Sequence, residues 1–466
     1  MSNFLRATSL VPYLLLLGLA LPTLAPCLAR AADRTPEQSW RLLALVFAAG
    51  LLLNNLLVVA AGHLWLAMAT GLAIGICCAA IALRYGGAPG RALRFGGPAA
   101  LCFAVVLAVL AAAALLEPLY AWDARSIWFF QGKILYFAGG LLKDAGWTSP
   151  YHLFWHPDYP KLVPILAAQA ATLAGLWNEQ LPKFSLPLLL VPALAATLSY
   201  WRSGLAALAL LVIVWAKVVP ELCNGDMDSP LAIYGLLGTM LIASGLTAEA
   251  ELDFAVGAVF IAITVCLKNE GSLLAVAVIA WAATAAALAR KRPPAGRRLD
   301  RTTIGAVLAF ALITAGSWLV LRKIWGFENE LQLGLGSLPI IAARLRDPVV
   351  LWLVLQNTVL AHGLVYAAMI GACATLFSWG LRTKVIESIF CLAVAVLYLI
   401  GLFFVYLGNP YSIDLKWQLE NTADRTTLVA ALLLLAPVIL LLRDEHRWRV
   451  PAFFLRSRRT VPGAAQ

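Results

Sequence analysis

Charge is scarce in this chain: 13% of its 466 residues are Asp, Glu, Lys or Arg, against about 25% in an ordinary soluble domain. Histidine is rarer still, with five copies. There are no internal repeats and no Gly/Pro-rich linkers. The gaps between apolar runs are too short to bury a core of their own, which excludes a separate soluble domain. The eight cysteines show neither CxxC nor His/Cys ligand spacing, and Cys77, Cys78, Cys102, Cys266, Cys373 and Cys391 lie inside apolar runs. They read as small packing residues, which excludes a disulfide framework and a zinc site.

What is abundant is apolar sequence, 62% of the chain. It comes in runs of ~20 residues, the length that crosses a bilayer. The expected fold is all-α and polytopic, with about 13 transmembrane helices at 9–29, 42–60, 62–83, 98–116, 183–200, 204–220, 230–247, 254–267, 271–289, 302–321, 349–379, 385–407 and 427–442. Two readings of the N-terminus stand side by side. A signal peptide would end at the cleavage-like Ala29-Arg30-Ala31, but the apolar stretch is long for that and a retained helix is expected.

The net charge of +11 comes from short basic clusters between apolar runs, at Arg84–Arg94, Arg290–Arg301 and Arg443–Arg459. This is the pattern of the positive-inside rule, not of nucleic-acid binding. It sets an orientation. Residues 117–182, 221–229, 268–270, 322–348 and 408–426 then lie outside, and a basic tail, 444–466, lies inside. In a bacterial inner membrane the outside is the periplasm. The chain divides into N-terminal helices (1–97), a membrane-embedded module (98–443) with the large periplasmic loop 117–182, and the tail. Within that loop, 124–142 is expected as an interfacial amphipathic helix and 162–177 as a second interfacial or re-entrant helix.

Most Trp, Tyr, His, Asp and Glu residues fall in the outside segments. A transporter would tend to place its polar groups at mid-membrane on broken helices. Polar groups gathered at one face instead suit an enzyme acting on a membrane-bound substrate. Asp123 follows a span end, where a lone carboxylate suits a general base, or an N-cap for the helix after it. Asp226 and Asp228 form an Asp-x-Asp whose hard oxygens suit Mg²⁺ or Mn²⁺; the alternative is a solvated turn, signalled by Asn224-Gly225. Glu221 is near enough in sequence to join either. Arg425, with Lys416 nearby, suits a phosphate clamp or an anchor snorkelling to the interface. Lys268 suits phosphate, or a pair with Glu270 beside Asn269. Arg125, His156, Asp158, Tyr159 and Lys161 are further candidates for binding substrate or phosphate, and Arg344 and Arg346 lie in the late outside segment.

Five blocks occur in order along residues 117–425: WDARSIW (122–128), HPDYPKLVP (156–164), NGDMDSPLAIY (224–234), LKNEG (267–271) and WQLENTADR (417–425). Together they resemble the GT-C superfamily of multi-span glycosyltransferases, in particular bacterial relatives of the protein O-mannosyltransferases and of the lipid A aminoarabinose transferase. Many mannosyltransferases carry Asp-Glu in the first loop, where this chain has Asp123-Ala124. The resemblance implies transfer of a sugar from a polyprenyl-phosphate donor to a lipid, glycan or protein acceptor, with inversion at the anomeric carbon. It implies Asp123 as the catalytic acid of the first loop and an acidic motif in the second, with a divalent cation as the one cofactor to expect. A flippase of lipid-linked saccharide and an O-antigen ligase or polymerase are the alternatives.

Overall fold

The computed structural model describes residues 2–25, 28, 35–85, 94–119, 121–147, 156–201, 204–213, 219–248, 250–289, 300–327, 335–360, 363–381, 384–410 and 414–443. The cleavage-like site, most of the basic run before Arg301, and the basic tail lie outside them. The described chain is helical, and its one pairing of extended backbone is the isolated bridge between His63 and Gly140. Ten helices are long and apolar enough to cross a membrane: Asn3–Leu24, Pro36–Ala61, Leu64–Arg84, Gly97–Leu116, Leu181–Leu198, Asp228–Ala248, Arg301–Trp325, Leu364–Leu381, Val385–Leu407 and Leu415–Arg443. The chain is an all-α, multi-pass membrane protein.

Three of the 13 expected spans are not among these ten, and a fourth is divided. Of the segment 204–220, residues 214–218 lie outside the described residues and Gly204–Ile213 is helical, while 254–267 yields Glu251–Leu267, 17 residues long. The helix beginning at Asn269 is described with its side chains only to Ala285. The long run 349–379 is also no single helix. Pro348–Leu355 leads into a π-turn, Gln356–Leu360, and a new helix starts at Leu364 after Gly363 in the left-handed region. A wide π-turn followed by a left-handed residue breaks the register that one span would need.

Of the two readings of 162–177, interfacial or re-entrant, the interfacial one is corrected. In Leu162–Ala174, eleven of thirteen residues are buried, so this helix lies inside the protein rather than on a lipid surface. At about 1.5 Å per residue it is too short to cross a bilayer. A reciprocal amide pair holds it. Asn54 Nδ2 donates to Gln169 Oε1 (2.8 Å), Gln169 Nε2 donates to Asn54 Oδ1 (2.9 Å), and Tyr13 O–H adds a bond to the same Asn54 oxygen (3.0 Å). Each polar group is satisfied by another, which is what burial among apolar helices demands. The first-loop helix is a π-turn, Ala124–Trp128, followed by Phe129–Ala138, and it buries Ile127, Trp128, Phe129, Gln131 and Leu135.

Two helices set the frame for the site. Asp228–Ala248 and Glu251–Leu267 pack side by side as an antiparallel pair, so Asp228 and Lys268 come to the same end. Ser244 and Asp253 meet at the opposite end, where Asp253 also takes the buried Arg41. The chain reverses sharply at Lys268, whose backbone is extended between Leu267 and the helix from Asn269. Gly271 makes that reversal close: a Cβ there would stand 1.9 Å from the Thr264 carbonyl oxygen.

Candidate active site

Four separate segments meet at that end of the bundle. Asp123 opens the π-turn after Gly97–Leu116, and its side chain makes no capping bond. Its Oδ2 instead accepts from Arg425 Nη1 at 2.8 Å, across 302 positions of sequence. The same nitrogen donates to Asp226 Oδ2 (3.0 Å) and lies 3.8 Å from Asp228 Oδ2. The N-cap role for Asp123 is therefore not what its carboxylate performs.

The Asp226/Asp228 pair owes its place to Gly225. That residue sits at φ +83°, and a Cβ on it would come within 2.8 Å of the Ala124 side chain. Only glycine fits both the left-handed backbone and the close approach. The turn thus lies directly on the residue that follows Asp123. Asp226 Oδ1 then accepts the Asp228 N–H (3.3 Å), at the start of the helix. Asp226 is 8% exposed and Asp228 1%, so the solvated-turn alternative does not hold. Glu221 stays outside the cluster and accepts a hydrogen bond from Ser229 Oγ.

Lys268 closes the arrangement. Its ammonium donates to Asp228 Oδ1 at 2.7 Å and lies 3.6 Å from Glu270 Oε1. Burial opposes its charge, but Asp228 and Glu270 more than offset this and hold its pKa well above that of an ordinary lysine. Burial likewise pushes Asp226 up, and Arg425 and Lys268 together bring it below the ordinary carboxylate value. The helix that carries Arg425 is braced. Tyr406 O–H reaches the Thr422 and Thr426 hydroxyls at 2.9 Å each, and Tyr398 O–H donates to the Thr426 carbonyl at 3.1 Å.

Other candidates lie elsewhere. Lys161 has no exposed surface. Its ammonium donates to Gln131 Oε1 and the Pro157 carbonyl, both at 2.7 Å, and sits 4.8 Å and 4.4 Å from the Trp147 and Trp318 ring centroids. It is sealed among these groups. Lys416 is exposed and pairs with Glu420 at 3.8 Å. Arg125 and Arg346 are exposed. Arg344 is buried and donates to the carbonyls of Tyr406, Leu407 and Asn409, where it caps the end of Val385–Leu407. His156 adopts a left-handed backbone (φ 46°), and its ring stacks on Tyr159, with centroids 4.8 Å apart. Trp128 packs on Tyr159 as well, at 5.5 Å. The Tyr159 hydroxyl borders the cluster. Burial raises its pKa well above the usual value, and Glu270, Asp158 and Asp123 act in the same direction.

Sequence reasoning missed Arg322, Trp318 and Gln131. Arg322 Nη1 donates to Asn269 Oδ1 (2.9 Å) and to the Asp158 carbonyl (3.3 Å), which Trp318 Nε1 also reaches (2.9 Å). Asn269 Nδ2 bonds the Asp158 carboxylate at 2.8 Å. These bonds pin the 156–161 turn beside the Lys268 reversal. A basic residue in the last turn of a helix is so common that Arg322 carried no sequence signal.

One oxygen each from Asp123, Asp226 and Asp228 lie within 4.8 Å of one another, a spacing that one cation can bridge. Asp228 Oδ2 is buried and has no hydrogen-bond partner. That unpaired acceptor, aimed at the Arg425 nitrogen, fits a cation in the same cradle. No protein-family model, no curated protein and no solved structure matches the chain.

Proposed function

We propose that the chain is a membrane glycosyltransferase of the GT-C type, moving a sugar from a polyprenyl-phosphate carrier to a hydroxyl acceptor at the periplasmic face of the inner membrane. The observation that carries this reading is the convergence of Asp123, Asp226, Asp228, Lys268 and Arg425. Five ionisable groups from four segments form one half-buried cluster at one end of the bundle. Burying so much charge without a task is costly, and clusters of this kind mark functional sites.

The chemistry needs a base, positive charge for the departing phosphate, and an oriented sugar. Asp123 is the base. It stands at the mouth of the cluster, partly exposed, where an acceptor hydroxyl can reach it and give up its proton as the glycosidic bond forms. Arg425 and Lys268 hold the carrier phosphate and stabilise the charge it gains as the sugar leaves. Asp226 and Asp228 would hold a Mg²⁺ or Mn²⁺ ion, which supplies further positive charge beside the phosphate when bound. Tyr159 borders the cluster, and the His156 ring stacks on it. The periplasmic orientation rests on the basic clusters that the sequence carries between its apolar runs.

The test is sugar transfer by the purified chain in detergent, across a panel of polyprenyl-phosphate sugars, with Asp123→Asn alongside. Loss of about 10²–10⁴-fold in a folded Asp123→Asn variant is expected. Transfer that survives the substitution removes Asp123 as base. No turnover with any donor, together with lipid-linked sugar crossing proteoliposomes, favours the flippase.

A further inference from the structure

The guanidinium of Arg425 occupies the point where three carboxylates converge. One nitrogen lies 2.8, 3.0 and 3.8 Å from oxygens of Asp123, Asp226 and Asp228, and those three residues are the set with the spacing of a cation site. Two positive groups cannot share that point. The third contact is also incomplete. At 3.8 Å Arg425 makes no hydrogen bond to Asp228 Oδ2, and this oxygen has no other partner although Asp228 is 1% exposed. Its second oxygen is already taken by Lys268 at 2.7 Å. A buried carboxylate oxygen without a hydrogen bond is costly, and a cation on Asp226 and Asp228 would satisfy it where the fixed fork of an arginine does not.

We infer that Arg425 is a built-in stand-in for the cation: it locks Asp123, Asp226 and Asp228 together until a divalent ion takes Asp226 and Asp228 and displaces it. The displacement has two consequences for the chain's own residues. Arg425, whose side chain is 26% exposed, turns from the carboxylates toward the mouth of the cluster, where an incoming phosphate would meet it. Asp123 loses the cation that holds its Oδ2, and that oxygen becomes free to accept a proton. In the locked arrangement base and clamp neutralise each other, so ion entry arms both at once. This rests on the proposed assignment of Asp123 and Arg425 to base and clamp, and on Asp226 and Asp228 as the ion's ligands.

The experiment is Mn²⁺ binding to the full chain in detergent, followed by electron paramagnetic resonance, for wild type and Arg425→Gln. Removing the competing charge is expected to tighten Mn²⁺ binding by about tenfold or more, and adding Asp228→Asn is expected to abolish the gain. Equal or weaker binding by Arg425→Gln, or no binding by either protein, overturns the inference. A second measurement needs no substitution: Mn²⁺ is expected to increase labelling of Arg425 by phenylglyoxal, mapped by mass spectrometry on wild type. Unchanged or reduced labelling overturns the displacement. Neither readout uses sugar transfer. A chain that transfers no sugar but binds Mn²⁺ more tightly without Arg425 keeps this inference and loses the transferase; a transferase with unchanged Mn²⁺ binding keeps its activity and loses the inference.

Discussion

Replacing Lys161 with methionine tests whether this lysine serves structure or substrate. The substitution keeps the length and bulk of the stem, so it leaves little void. It removes an ammonium that donates to Gln131 Oε1 and the Pro157 carbonyl at 2.7 Å each and rests between Trp147 and Trp318. Each buried acceptor left without its donor costs about 1–3 kcal/mol. The two indole contacts add about 0.5–2 kcal/mol each at a desolvated site. Against this, methionine has no charge to desolvate, and burial already pushes the Lys161 pKa well below its usual value. The net loss is about 2–4 kcal/mol. It falls on the 156–161 turn, which also carries His156 and Tyr159. Thermal unfolding followed by tryptophan fluorescence is a direct assay, because Trp147 and Trp318 flank the substitution. A lowered melting temperature with an unchanged KM for donor is expected once transfer is measurable. An unchanged melting temperature with a raised donor KM would refute the structural role and return Lys161 to the carrier phosphate.

The Lys268–Asp228 pair gives a sharper contrast. Lys268→Met leaves Asp228 buried without its cation and is expected to cost about 3–5 kcal/mol, while adding Asp228→Leu recovers most of it; a stable single variant would mean the pair is open to water. Asp226 supplies a pH test. Its folded pKa is lowered by Arg425 and Lys268 against the opposing effect of burial, and the unfolded carboxyl titrates near pH ~3.9. The stability it contributes is therefore fully present above that value and lost as pH falls through the folded pKa. The melting-temperature difference between wild type and Asp226→Asn is expected to shrink as pH falls below ~3.9. A difference that widens on acidification contradicts the sign.

The membrane character was legible because it depends only on local composition: an apolar run of sufficient length must be a helix in lipid. Span count was less legible, and the reason is packing. Glu251–Leu267 is buried along nearly its whole length by neighbouring helices, so it needs neither the length nor the flanks of a lipid-facing span. Leu162–Ala174 is similar: its apolar faces meet protein, and Gln169 is matched only by an asparagine 115 positions away. The break after Leu355 hangs on a π-turn and a single glycine, features with no period to read.

The site divides along the same line. Acids and bases that stand at span ends are visible in sequence because an apolar chain gives them nowhere else to be, as Asp123, Asp226, Asp228 and Lys268 do, and Arg425 is visible as a guanidinium suited to phosphate. What sequence does not carry is which of them touch. Lys161 and Lys268 look alike on paper, each a lysine beside an outside turn. One faces two indoles and a glutamine, the other a carboxylate pair, and their pKa values shift in opposite directions. Lys416 and Arg425 share one helix, yet only the latter reaches the cluster, because Gly225 places the Asp226 turn against Ala124 and leaves the acids open to that end of the helix. In the finished cluster Asp123, Asp226, Asp228 and Glu270 face Arg425 and Lys268, so carboxyl groups outnumber cations four to two. An anionic phosphate entering such a site would meet cations already engaged by carboxyl groups unless positive charge came with it or Arg425 were turned toward it. The surplus of acid is thus the physical reason to look for a cation here, and the Arg425 contact is the reason that its arrival would be felt by every other group in the site.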